Sequence, residues 1–232
     1  MNIKKKIEEI NKIYNDDFRN YEIPNGIIIT DPPYNQKFKY NLYKDNLSNE
    51  EYIELLSNLN KNPCVLIHYP EQTINLFPKI FGKCEQVVAW IYNSTIPKQH
   101  RLVSWWGCAP DFSKFSQPYK NPKDKRIQKR IAEGKQAKVY DWWEIQQVKN
   151  VSKEKTIHPC QTPEEVIRRI ILTTCNKNDL IIDPFAGSGS TLKIAKELGY
   201  NYLGFEIDPK YYEVAENRVA NTSYNELILT AS

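Results

Sequence analysis

Residues 183–191 read Asp-Pro-Phe-Ala-Gly-Ser-Gly-Ser-Thr, and the patterns on either side of them decide the fold. The β-branched run at 179–185 predicts a strand, and 191–198, stopped at Gly199, has helical spacing. A further strand over 202–207 carries an acid, Glu206, 19 residues after Gly187, and Asp208-Pro209 opens a last helix to about residue 219. Strand, glycine turn, helix and strand in that order make the repeating unit of a parallel α/β sheet. Glycines let the backbone approach a ligand, and a helix N-terminus offers free N–H groups to an anion. A carboxylate at the end of the following strand can accept hydrogen bonds from ribose hydroxyls.

Two familiar phosphate loops do not fit. The Gly-Lys-Ser/Thr of a Walker A loop has no counterpart, and the third glycine of G-x-G-x-x-G is Leu192. A ligand with a ribose and a carboxylate but no pyrophosphate fits better than a dinucleotide; S-adenosylmethionine is one. A plain tight turn would account for the glycines, but not for the acid on the next strand.

Working outward, residues 26–30 form a short β-branched run that ends at Asp31-Pro32-Pro33-Tyr34, since proline cannot donate to a sheet ladder. Ser48-Asn49-Glu50-Glu51 is a capping box, and residues 64–69 and 86–92 read as strands. Thr162-Pro163-Glu164-Glu165 predicts a helix start with Thr162 as cap, and Val166, Ile167, Ile170 and Ile171 supply its buried stripe. The tetrapeptide at 31–34 has a chemical use of its own. A carboxylate and a carbonyl fixed by two prolines are rigid acceptors suited to the two hydrogens of an exocyclic amino group. The tyrosine beside them offers a face for a base.

Composition narrows the function classes. Of 232 residues, 41% are hydrophobic and 26% charged, an ordinary globular balance. No stretch approaches the ~18 apolar residues of a membrane helix. The basic start MNIKKKIEEINK has no apolar segment behind it, so no secretory signal is expected. Five widely spaced cysteines and three scattered histidines suggest neither a disulfide framework nor a metal site, and a cytoplasmic protein is expected. Net charge is only +4, but residues 114–138 carry nine Lys/Arg against two acids. Lys123, Lys125, Arg126, Lys129 and Arg130 lie in that run, which suits a polyanion or a solvated face. Between about 94 and 156 the periodicity fades.

Taken together, these motifs resemble the amino-methylating DNA methyltransferases, which act on N6 of adenine or N4 of cytosine. Asp-Pro-Pro-Tyr is their catalytic block and Asp-Pro-Phe-Ala-Gly-Ser-Gly-Ser-Thr their cofactor block. His158-Pro159-Cys160-Gln161-Thr162-Pro163 is similar to the H-P-x-Q-K-P block of the permuted beta group. Gly204-Phe205-Glu206-Ile207-Asp208, followed by Tyr212, Ala215 and Arg218, matches that group's C-terminal pattern. The catalytic-first motif order is also that of the beta group, and the likeness covers about 10–92 and 157–220.

The resemblance implies a Rossmann-like, S-adenosylmethionine-dependent methyltransferase fold: a mostly parallel twisted sheet with helices on both faces. It implies a catalytic domain of 1–93 and 157–232, with 94–156 as an irregular target-recognition insertion. Asp31, Pro32, Pro33 and Tyr34 would hold the target amino group. Asp17, Gln161, Asp183, Phe185, Gly187, Ser188, Ser190, Thr191 and Glu206 would line the cofactor site, Glu206 on the ribose and Asp17 near the adenine. The basic run, with Trp105, Trp106, Tyr119, Tyr140, Trp142 and Trp143, suits backbone contacts and stacking, although the pair Trp142-Trp143 also suits buried packing. Two departures stand out: Thr162 replaces a lysine, and the family's W-x-K strand is here Trp90-Ile91-Tyr92.

The expected activity is methylation of an amino group on double-stranded DNA, with adenine favoured because cytosine-N4 members more often carry serine at the position of Asp31. Methylation of cytosine N4 and a silent DNA-binding protein on the same scaffold are the alternatives. A homodimer and a cognate restriction endonuclease are the further partners the resemblance allows.

Overall fold

The computed structural model describes residues 4–94 and 97–225. In chain order its elements are β1 (Lys12–Tyr14), β2 (Ile27–Thr30), α1 (Asn49–Ser57), β3 (Cys64–His68), α2 (Pro70–Asn75) and α3 (Phe77–Phe81). β4 (Cys84–Ile91), β5 (His100–Trp106), β6 (Ser116–Gln117), α4 (Lys125–Ala132), β7 (Ala137–Lys138) and β8 (Trp142–Glu144) follow. The last elements are α5 (Glu164–Thr174), β9 (Leu180–Asp183), α6 (Ser190–Glu197), β10 (Asn201–Phe205) and α7 (Pro209–Ala220).

Eight of the strands join one sheet in the order β1-β10-β9-β2-β3-β5-β4-β8. Every neighbouring pair is parallel except those of β5, which runs antiparallel to both β3 and β4. Successive strand residues point to opposite faces, so each strand serves two cores. Ile29, Val65 and Ile181 pack with α5, α6 and α7, while Ile28, Leu66 and Ile182 pack with α1 and α3. Burial on both faces explains why these strands read as continuous apolar runs. The result is the expected mostly parallel α/β sheet covered on both sides.

Two expectations need correction. The span 94–156 is not an insertion outside the catalytic sheet. β5 lies inside that sheet, between β3 and β4, and β8 pairs with β4 at its edge. Their apolar residues complete the core: Trp105, Trp106 and Trp143 are buried, so three of the aromatics suited to stacking on bases are packing residues. Only the part between β5 and β8 departs from the sheet, with the small β6–β7 ribbon and α4.

The second correction concerns α5. Its flanking residue is Pro163 with no side-chain cap, and the Thr162 hydroxyl is committed elsewhere. The capping box at α1 does form, through Glu51 N to Ser48 Oγ at 3.2 Å and Ser48 N to Glu51 Oε2 at 2.8 Å.

The two adjacent tryptophans therefore differ in weight. Truncating the buried Trp143 to alanine should cost about 3–5 kcal/mol of unfolding free energy. Trp142→Ala, on a half-buried side chain at the sheet edge, should cost less, about 1 kcal/mol. Urea denaturation midpoints of the two variants check this.

Candidate active site

From β9 the chain moves outward to β10, and from β2 it moves the opposite way to β3. Strand order thus reverses between β2 and β9, and the crevice beyond their carboxyl ends is where ligands bind in such sheets. Asp31 follows the last residue of β2, and Asp183 is the last residue of β9. The two ends are tied: Thr30 Oγ1 donates to Asp183 Oδ1 at 2.6 Å, and Phe185 N donates to the same oxygen at 3.1 Å. Burial pushes the Asp183 carboxyl up to about 6.

A cavity of about 420 Å³ opens at this point. Asp17, Asp31, Pro32, Pro33, Tyr34, Asp183, Phe185, Gly187, Ser188, Ser190, Thr191 and Glu206 all line it.

On the β9–β10 side, the glycine turn is set by steric demand. Gly187 has φ +53°, and a Cβ there would lie 3.0 Å from His158 Nε2; Gly189 has φ +76°, and a Cβ would lie 2.9 Å from Ala215 Cβ on α7. Beneath the turn, Arg218 Nη1 donates to Ser188 O at 2.6 Å, and Arg218 Nη2 donates to Glu164 Oε1 at 2.6 Å. Lys193 takes the other oxygen of Glu164, so α5, α6 and α7 are stitched under the loop. Glu206 accepts from Gly187 N and Asp208 N, each at 2.8 Å, and burial pushes its carboxyl up to about 7. Phe18 meets Phe185 edge to face at 5.3 Å, while Asp17 is paired with Arg19 at 2.6 Å. Asp208 Oδ2, on the same wall, is buried without a hydrogen-bond partner.

Gln161 is a correction. Its Nε2 donates to Glu154 O at 2.7 Å and its Oε1 accepts from Thr156 N at 3.0 Å, so both ends of the amide hold backbone outside the cavity. His158, Cys160 and Thr162 line the cavity instead, because alternate residues of this segment face it.

On the β2 side, the Asp31 carboxylate is surrounded. Tyr34 OH donates to Oδ1 at 2.5 Å, Thr162 Oγ1 donates to Oδ2 at 2.6 Å, and Arg101 Nη1 approaches Oδ2 at 3.5 Å. Burial pushes the Asp31 carboxyl up, while Arg101 pulls it back down. The Arg101 guanidinium, from β5, lies 5.2 Å from the ring centres of both Tyr34 and Trp90. The main chain is held too. Tyr69 N donates to His68 Nδ1 at 2.8 Å, so the proton of this imidazole, kept neutral by burial that pushes it down to about 3, sits on Nε2. That nitrogen donates to Tyr52 OH at 2.9 Å, and Tyr52 donates to Pro33 O at 2.9 Å.

The sequence reading missed Arg101, Tyr52 and His68, and gave Thr162 the wrong partner. An arginine directly before the apolar run that begins at Leu102 was the available signal for Arg101. The five basic residues Lys123, Lys125, Arg126, Lys129 and Arg130 are exposed on and beside α4, which buries no residue, and none reaches the cavity.

A reversed parallel sheet, a glycine loop backed by an acid on the next strand, and a rigid acceptor pair in the same cavity define a nucleoside-cofactor group-transfer enzyme of the α/β methyltransferase type. The chain belongs to the N6/N4 DNA methylase family, whose profile, described as DNA methylase, matches residues 26–217. It is thus an S-adenosylmethionine-dependent, amino-methylating DNA methyltransferase.

The type II methyltransferase M.BglII of Bacillus subtilis is 29% identical over 251 aligned residues, covering 90% of this chain and 68% of that protein. M.HpaI of Haemophilus parainfluenzae is 28% identical, covering 83% and 67%. Among solved structures, the PvuII DNA methyltransferase (cytosine-N4-specific) superposes with a TM-score of 0.63 at 15% identity, covering 97% of this chain and 92% of that one. The M1.HpyAVI–SAM complex gives 0.59 at 22%, covering 90% and 98%. At these identities the structures bear on the fold alone.

The glycine cradle, the Glu206 carboxylate and the unpaired Asp208 oxygen fit a ligand that brings ribose hydroxyls and an ammonium group. Glu206→Ala should weaken S-adenosylmethionine binding by about 1.5–3 kcal/mol, the range of a hydrogen bond to a charged group. Since the carboxyl is charged only above about 7, wild-type affinity should rise as pH increases through that value. Glu206→Gln should bind weakly and without that dependence; isothermal calorimetry from pH 6 to 8.5 measures both.

Proposed function

We propose that this methyltransferase modifies N6 of adenine in double-stranded DNA, with Asp31, Pro32 and Tyr34 acting on the extruded base. The observation that carries the reading is that the acceptor pair and the cofactor loop line one cavity across the β2–β9 boundary. The preference for adenine rests on Asp31, where serine is commoner in cytosine-N4 members. The DNA adenine methyltransferase YhdJ of Escherichia coli K12, 35% identical over 82 residues, adds support over 35% of this chain and 28% of that one. Cytosine N4 is the rival, since both bases offer an exocyclic amine. Against a silent DNA-binding scaffold stand both motifs, intact and facing each other. DNA and S-adenosylmethionine meet in the cytoplasm, which is the proposed location.

A base inside a duplex cannot reach this crevice and must be flipped into it. Its amino nitrogen is a poor nucleophile because the lone pair is delocalised into the ring. Asp31 and the Pro32 carbonyl accept its two hydrogens, which favours a pyramidal nitrogen with its lone pair aimed across the cavity. S-adenosylmethionine, when bound, supplies an electrophilic methyl group there. The nitrogen then sheds one proton, for which Asp31 is the nearest acceptor. Tyr34 offers its ring to the base, and its hydroxyl must first release Asp31 Oδ1. Arg101 and Thr162 favour the ionised form of Asp31 against the effect of burial and hold the carboxyl in place. The basic residues around α4 contact the DNA backbone, and a second copy or a cognate endonuclease remains a partner of this reading.

Single-turnover transfer to DNA should order the variants as follows. Asp31→Ala abolishes transfer, and Asp31→Asn leaves a trace. Tyr34→Ala loses the ~1–3 kcal/mol of base stacking, whereas Tyr34→Phe keeps the ring, frees Oδ1 and retains most of the rate. Arg101→Gln removes the charge that opposes burial, so Asp31 holds its proton to higher pH and the acid limb of the pH–rate profile moves upward; Arg101→Lys restores it in part. Wild-type rates in Asp31→Ala would overturn the assignment, and sequencing of the modified DNA decides the base.

Neutralising Lys123, Lys125, Arg126 and Lys129 together should weaken all DNA sequences alike. It should also flatten the log–log salt dependence by about 0.9 for each phosphate that no longer has a cation beside it. An unchanged slope would make α4 a solvated face.

A further inference from the structure

The segment 35–47 follows Tyr34 directly and forms the mouth of the cavity through Gln36, Phe38, Tyr40, Leu42 and Tyr43. It buries little. Phe38 is 42% exposed and Leu42 is 62% exposed, an unusual outlay of apolar surface beside an active site. Its form comes also from hydrogen bonds at its base. The buried Asp45 carboxylate accepts from Asn35 N, Gln36 N and Phe38 N, at 2.8, 2.9 and 3.0 Å. Asn35 and Leu47 bond each other in both directions, at 2.9 and 2.7 Å. Asn35 and Lys37 take φ values of +54° and +62°, conformations that such a frame has to enforce.

The charge on the loop is one-sided. Lys37, Lys39 and Lys44 are exposed, while the single acid, Asp45, is buried and spent on the backbone. Lysines alternating with exposed apolar side chains suit a polyanion with stacked bases. They do not suit a lid for S-adenosylmethionine, itself a net cation. Extruding a base costs a few kcal/mol of unstacking and leaves a gap in the helix, and an apolar side chain inserted between base steps offsets that cost.

On the reading given under Proposed function, we propose that segment 35–47 is a second DNA-contacting element: its lysines lie on the duplex backbone, and Leu42 fills the space the flipped base leaves in the stack. This element is separate from α4. It sits where the base enters, so it acts on extrusion, whereas the charges around α4 act on affinity.

The test uses single-turnover methyl transfer by the full chain to a duplex bearing the site that sequencing identifies for the wild type. One version of the duplex is fully paired; the other has an abasic nucleotide opposite the target, so that extrusion is already cheap. Leu42→Ser should slow transfer to the paired duplex by roughly tenfold or more, a part of the unstacking cost. It should return to within about twofold of the wild type on the abasic-opposed duplex. Leu42→Met, which keeps an apolar wedge, should behave as wild type on both, and Lys37→Gln/Lys39→Gln/Lys44→Gln should reduce the salt dependence of binding. Equal losses by Leu42→Ser on both duplexes would mean a structural or cofactor-covering role and overturn the proposal, as would wild-type rates on both. Absence of transfer by the wild type to any DNA would instead overturn the functional reading itself.

Discussion

One hydrogen bond, from Thr30 Oγ1 to Asp183 Oδ1, joins the two halves of the active site at 2.6 Å. It spans the boundary where the sheet reverses direction, and each partner adjoins a functional motif. Asp183 begins the glycine loop, and Thr30 precedes the Asp31 carboxylate. Both residues are buried, so the bond forms away from competing water and an unpaired Asp183 would be costly. Parallel pairing of β2 with β9, through Ile27–Ile181 and Ile28–Ile182, sets the height at which the motifs meet. Transfer between two bound molecules depends on that fixed distance more than on any single reactive group.

Around this joint, each half is stiffened in its own way. The glycine loop cannot hold itself, because its residues are too small to pack. Arg218, Glu164 and Lys193 do so from three helices, with both oxygens of Glu164 occupied; such a part-buried ionic cluster is tolerable because its charges are paired. The tetrapeptide is held by aromatic and imidazole side chains that end on the Pro33 carbonyl, and by the three donors around Asp31. The segment 35–47 is held otherwise, by hydrogen bonds at its base and by Tyr43 and Leu47 packed on the core beside α1, with Phe38 and Leu42 left exposed.

How much of this was legible in the sequence depended on whether the cause was local. Asp183–Thr191 and Asp31–Tyr34 stood out because turns, prolines and strand ends leave marks within a few residues. Glu206 was found from its spacing, which reflects one helix and one strand of ordinary length. β5 was hidden because an antiparallel strand in a parallel sheet breaks the alternation of strand and helix, and its tryptophans looked like binding residues. Thr162 and Gln161 show the limit more finely. A threonine before a proline and two glutamates has the local form of a helix cap, yet its hydroxyl is drawn to a carboxylate 131 residues away in the chain. Whether Gln161 faced the cavity or the loop behind it turned on one residue of alternation, which no nearby pattern records.

The surroundings of Asp31 also constrain descent. Thr162 stands where the H-P-x-Q-K-P block has lysine, and Tyr92 where the W-x-K strand has another; here the cation beside Asp31 is Arg101 on β5. The Thr162 hydroxyl already touches Asp31, so a lysine at 162 would crowd a second cation onto one buried carboxylate. Loss of Arg101 with Thr162 in place would leave that carboxylate with none. Moving the cation from Arg101 to position 162 therefore takes two substitutions, either of which alone leaves Asp31 with two cations or none.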